Sequence, residues 1–203
     1  MWATQIRDDD RTDRTGPTAT IVEESATGGL IDFGEGPVRA RRHPNADGSL
    51  GGWVADTAHA DPQCHVGAGA AVFGNARVFG ACRLVDEALV CDYARVADGA
   101  IVSGSAEVSG SASVAGSTIS ERSVITDHAR VQGAVVRGDA WVSDRATITK
   151  GAIVQDRAVV RGQAFVTDEA VITGEAVVDG TVRGDVLVLD GHVEPTEDVR
   201  SHG

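Results

Sequence analysis

The chain has 203 residues, a formal net charge of −12, and 42% hydrophobic but only 4% aromatic residues. So acidic a balance argues against a general nucleic-acid or anionic-membrane binder, because counterion release needs a basic face. Residues 1–20 hold no apolar stretch of signal-peptide or membrane-span length, and the three cysteines lack a paired spacing, so a soluble cytoplasmic protein with neither a nucleic-acid nor a membrane partner is expected.

Residues 1–20 are polar, run through Asp8-Asp9-Asp10-Arg11 into a Thr/Pro/Gly stretch, and are expected to be disordered. Residues 21–50 offer short strands around Gly28-Gly29 and Gly34-Glu35-Gly36 and are assigned to an N-terminal β cap. The need for a cap follows from what comes next, since an open solenoid end leaves unpaired strand edges over exposed valines.

From Val54 to Val114 every sixth residue is apolar, and from Ala60 on an Ala or Cys stands two positions before each. The beat runs on to Val193, with one-residue deletions before Ile119, Val136 and Val193 and a two-residue deletion before Val182. In a unit such as Ala76-Arg77-Val78 two apolar residues flank a polar one, the in-out-in pattern of a short strand. The second turn residue after each strand is almost always Gly or Asp, types that tolerate positive φ; Glu121 and Lys150 are the misfits, and strained or altered corners are expected there. Three units make a triangular coil of about 18 residues, and repetition at so short a period marks a solenoid with one continuous core. The fold class expected is all-β: a single-domain parallel β-helix of about eight triangular coils over residues 51–193, stopped by Glu194-Pro195 and followed by a polar tail, 194–203.

With this repeat, and with Leu50-Gly51-Gly52-Trp53-Val54 leading toward Phe73-Gly74-Asn75-Ala76-Arg77-Val78-Phe79-Gly80, residues 50–193 resemble the hexapeptide-repeat proteins with a single-stranded left-handed β-helix, and among them most of all the YdcK-like branch described as acyltransferases. The resemblance implies a left-handed winding, contrary to the general rule for parallel crossovers. It also implies a homotrimer, and an acyl-coenzyme A donor with a histidine general base close to a subunit boundary.

Placing the deletions in the corners sorts the outward residues into three columns, one per wall, with rungs about 4.8 Å apart. The first reads His59, Arg77, Arg95, Ser113, Arg130, Thr147, Phe165, Thr181; the second His65, Arg83, Ile101, Thr118, Val135, Ile153, Val171, Leu187; the third Trp53, Ala71, Leu89, Glu107, Val124, Trp141, Val159, Val177, His192. Val135, Ile153, Val171 and Leu187 beside Val124, Trp141, Val159 and Val177 make an apolar surface that calls for a cover. Sister subunits are the expected cover, a trimer being the natural closure of a three-sided prism. The other reading folds residues 21–50 back over one wall.

His128 with Asp127 as its orienting carboxylate is the candidate catalytic pair, placed in a corner of the coil bounded by shortened corners. His59 and His65 lie in the first coil on adjacent walls. Arg77, Arg83, Arg95 and Arg130 are the candidates for holding an anion or the phosphates of coenzyme A, against the plainer reading of a solvated face neutralised by Asp86, Asp92, Asp98 and Asp127. Cys64 and Cys82 are inward, one coil apart, and read as reduced core thiols, whereas Cys91 is expected to be exposed in a corner. Val136-Arg137-Gly138-Asp139 and Val182-Arg183-Gly184-Asp185 resemble a segment of the γ-carbonic anhydrases, but His59, His65, His128 and His192 fall on different rungs, and no metal ligands are assigned.

Two main function classes follow. An uninterrupted prism presents flat walls rather than pockets, which suits a homo-oligomeric, non-catalytic binding or assembly scaffold that requires no cofactor and takes a small-molecule or protein ligand. The resemblance points instead to an acyl-coenzyme A-dependent small-molecule acyltransferase with its site between subunits, and a γ-carbonic anhydrase-like zinc enzyme stands third.

Overall fold

In a computed structural model, which describes residues 19–25 and 28–201, the chain is an all-β solenoid of about eight turns. The disorder expected for residues 1–20 falls outside the described residues, except at Ala19 and Thr20. Among the described residues the strands form three sheets, of twelve, nine and eight strands, which are the three walls of the prism.

Strand register reproduces the three columns. On the first wall Arg77 pairs with Arg95, Arg95 with Ser113, and Ser113 with Arg130. On the second wall Val135 pairs with Ile153 and Ile153 with Val171, and on the third Val124 pairs with Trp141 and Trp141 with Val159. A slip of one residue would turn every valine outward, so the alternation itself fixes this register. Inside, Ala and Val rows such as Ala94 and Val96 are fully buried, and one core runs from Ile31 to Val193. Each buried Val stabilises the stack by about 1.5–3 kcal/mol.

Corners work by backbone conformation. Asp86, Asp92, Asp98, Asp127, Asp144, Asp156 and Asp168 all have positive φ, as do the misfits Glu121 (φ 64°) and Lys150 (φ 52°). Several of these aspartates also tie one coil to the next: Asp92 Oδ2 accepts the Gly110 N–H at 2.9 Å, and Asp86 Oδ2 accepts that of Gly104 at 2.9 Å. Gly110 is required twice over, since its φ is +61° and a Cβ there would lie 2.6 Å from the Asp127 nitrogen.

The cap is an antiparallel meander of β1 (Thr20–Glu24), β2 (Gly28–Asp32) and β3 (Pro37–Pro44), which continues through β4 (Leu50–Ala55) into the third wall. It extends that wall rather than folding over it. Phe33, at the β2–β3 tip, stacks on Phe73 with centroids 4.6 Å apart, and the Arg42 guanidinium lies 4.0 Å over the Trp53 ring. From β3 and the turn after it, His43 Nε2 meets the Cys64 carbonyl at 3.1 Å and the Asn45 side chain bonds to Val66, closing the first edge of the second wall.

Two expectations are revised. Cys91 is buried, not exposed, because the hairpin tip that sets Phe33 on Phe73 also brings Glu35 over this corner; burial pushes the Cys91 thiol up. The beat does not stop at Glu194-Pro195 either, since Asp198–Arg200 forms one more rung of the first wall, Val199 pairing with Val182. Among the described residues nothing pairs with the outer edges of Leu187–Leu189, His192–Val193 or Asp198–Arg200.

Candidate functional site

The first wall carries His59, Arg77, Arg95 and Arg130 in one column, whereas Arg83 stands on the second wall above His65. Three of the four candidate anion-binding residues therefore share a face. None of the aspartates expected to neutralise them forms an ion pair with these arginines among the described residues: Asp86 and Asp92 accept corner amides, Asp127 Oδ2 accepts the Asp144 N–H at 3.2 Å, and Asp98 makes no ion pair. At the head of the column His59 Nε2 lies 2.8 Å from Asp61 Oδ1, and the Gly80 amide, then His59, holds the Asp61 carboxyl below its ordinary range. His65 faces away on its own wall, so the two first-coil histidines do not converge.

His128 is exposed, and the Asp127 carboxylate is turned to the next coil's backbone rather than to the imidazole. Together they line a shallow hollow of about 380 Å³ with Asp144 and Arg145. The contact that would orient His128 as a base is not made.

A larger groove, about 770 Å³, lies on the third wall. Its floor includes Val177 and its rims are Arg157 with Glu175 on one side and Arg161 on the other; Arg157 and Glu175 form an ion pair. His192 closes the end, with Nε2 2.7 Å from Asp179 Oδ2 and Nδ1 3.3 Å from Glu194. Arg161 Nε donates to Asp179 at 3.0 Å. Burial works to raise the Asp179 carboxyl, but Arg161 and His192 outweigh it and hold the group below its ordinary range. With a carboxylate at each nitrogen the imidazole keeps its place, and both nitrogens are turned to those carboxylates rather than to a substrate. Sequence reasoning missed this cluster, although Arg161, Asp179 and Glu194 each directly follow an apolar beat and so form a column of their own.

Trp141 stands in register between Val124 and Val159, which are only 9% and 6% exposed in this single chain, so part of the third wall covers itself. The second wall has no such cover. Val135, Ile153 and Val171 are half-buried and Leu187 is 64% exposed, beside corners as small as Gly133 and Gly151. It is a flat apolar strip.

Cys64 and Cys82 are free and buried, in register one coil apart. Their thiols are aimed at backbone carbonyls, Cys64 Sγ 2.9 Å from Gly80 O and Cys82 Sγ 3.0 Å from Phe79 O, and the hydrogen bond with Cys82, together with burial, pushes the Cys64 thiol up. In the Val-Arg-Gly-Asp segments Arg137 bonds to Gln155, Asp139 to Arg122, and Arg183 to Asp198. Among the described residues no three His, Cys, Asp or Glu side chains converge as they would around a metal ion. Among the described residues no helix is long and apolar enough to cross a membrane. The chain matches no protein-family model, and no curated protein is similar to it in sequence beyond chance.

Proposed function

We propose that the chain is an oligomeric scaffold: a hexapeptide-repeat solenoid, left-handed and transferase-like by resemblance, that associates with sister copies and presents its remaining surface to a partner. The observation that carries this reading is the second wall, where Val135, Ile153, Val171 and Leu187 form a flat apolar strip with nothing over it among the described residues. Three-fold closure suits a three-sided prism, and free thiols at Cys64, Cys82 and Cys91 suit a cytoplasmic setting. Size-exclusion chromatography with light scattering tests it. A trimer is expected, and Ile153→Arg should give a folded monomer; a monomeric wild type at high micromolar concentration overturns the reading.

One observation favours a second reading, acyl transfer from acyl-coenzyme A. The third-wall groove is concave, with Arg157 and Arg161 on its rims. Calorimetry with coenzyme A separates the two. Absence of binding supports the scaffold, whereas micromolar binding lost in Arg157→Ala supports the enzyme.

A further inference from the structure

This acidic chain pairs several of its cations: Arg122 with Asp139, Lys150 with Asp168 and, at the far end of the first wall, Arg183 with Asp198. Among the described residues the stretch of the first wall nearer the cap does not, and nor does Arg83 on the second wall. Arg77, Arg95 and Arg130 are exposed, as is Arg145 at the wall's edge, and none has an acidic partner among the described residues. The carboxylates of Asp92, Asp127 and Asp144 along the same edge are committed to backbone amides one coil on. Three cations in one column and a fourth at its edge, none held in an ion pair in a chain of net charge −12, make this stretch of the wall the complement of an acidic surface.

We infer that the first wall is a docking strip for an acidic peptide segment of a partner protein, laid along the solenoid axis from Arg77 to Arg145. Arg77 and Arg145 are four rungs apart, a span of about 19 Å, which an extended segment of roughly six residues covers. The wall itself is flat, the groove and the hollow lying beside it or on another wall, and flat basic strips suit a chain better than a small anion. Between Arg77 and Thr147 the outward residues are Arg95, Ser113 and Arg130, so bases would find no run of stacking aromatics there. The inference rests on the scaffold reading in one respect: sister copies on the other walls leave this one facing outward.

Fluorescence anisotropy of the full chain with a labelled octaglutamate peptide tests the strip, with octaglutamine as control and light scattering on the same samples. Octaglutamate should bind, weaken as salt screens the charges, and lose about tenfold in affinity in Arg77→Gln/Arg95→Gln. Arg122→Gln, which removes a paired cation on another wall, should change little. Equal binding of octaglutamine, undiminished binding by the double variant, or tighter capture of a single-stranded oligonucleotide through the same arginines overturns the inference. A trimer that ignores octaglutamate fails the strip alone. A monomer that binds it fails the assembly alone.

Discussion

The side-chain amide of Asn45 pairs with the backbone of Val66 in both directions, donating to its carbonyl at 3.1 Å and accepting its N–H at 2.9 Å. One side chain thus stands in for the missing strand at the first edge of the second wall. Both residues are buried, so Asn45→Ala leaves a peptide group without partner or water. The loss should be about 1–3 kcal/mol, read as a lowered urea midpoint at unchanged slope. A midpoint shift within error would show that the cap is held by its aromatic contacts instead.

Two glycines with the same backbone conformation should respond differently to a methyl group. Gly133 has φ +59° with nothing within 4 Å of a built Cβ, so Gly133→Ala costs only the left-handed conformation, about 1–2 kcal/mol. At Gly110 the Cβ meets the Asp127 backbone at 2.6 Å, and Gly110→Ala should cost roughly 1–3 kcal/mol more. Equal costs, from denaturant titration, would mean that the coils separate easily.

Glu107 is an outward carboxylate of the third wall whose pKa is raised, chiefly by burial, despite the nearby Ser109 hydroxyl. Its protonated form is favoured by folding, so its contribution is fully present below the unfolded pKa and disappears as pH rises through the higher folded value. Glu107→Gln should therefore stabilise the protein at pH 7, with the advantage fading in acid. A variant no more stable than wild type at neutral pH contradicts this.

His43 is buried against the Cys64 carbonyl, and burial lowers its pKa from the ordinary 6.5. A lowered histidine supports the fold above its ordinary pKa and withdraws that support as pH falls through it toward the folded value. Amide exchange, corrected for intrinsic rates, should show residues 37–55 losing protection between pH 7 and pH 5 more than residues 90–150 do. Uniform loss would place the acid sensitivity elsewhere.

The prism was legible because inward Ala and Val alternate with outward residues at a spacing the corners cannot alter, so the pairing of Arg77 with Arg95 or Trp141 with Val159 followed from counting. Glu121 and Lys150 could be picked out for the same reason as corner residues other than Gly or Asp, although their φ of 64° and 52° is close to that of the aspartate corners. What the repeat does not encode was not legible. Asn45 and His43 act through contacts about twenty residues on, fixed by how the cap closes, and the burial of Cys91 depends on a hairpin tip from outside the repeat. The orientation of Asp127 toward Asp144, not His128, depends on corner geometry that residue types alone do not specify.

The two ends of the stack are unlike. At the first end the third wall runs on into the cap and Asn45 and His43 close the second, which leaves only His59–Ala60 with an open edge among the described residues; at the other end Leu187–Leu189, His192–Val193 and Asp198–Arg200 all have one, the last being fastened to its neighbour by the Arg183–Asp198 ion pair. In a column whose coils touch only those above and below, melting travels inward from the end with more open edges. The molecule therefore has a polarity of wear: heat or tension should peel it turn by turn from Arg200 toward Val66, and the basic column, anchored near the capped end, would be among the last parts to come apart.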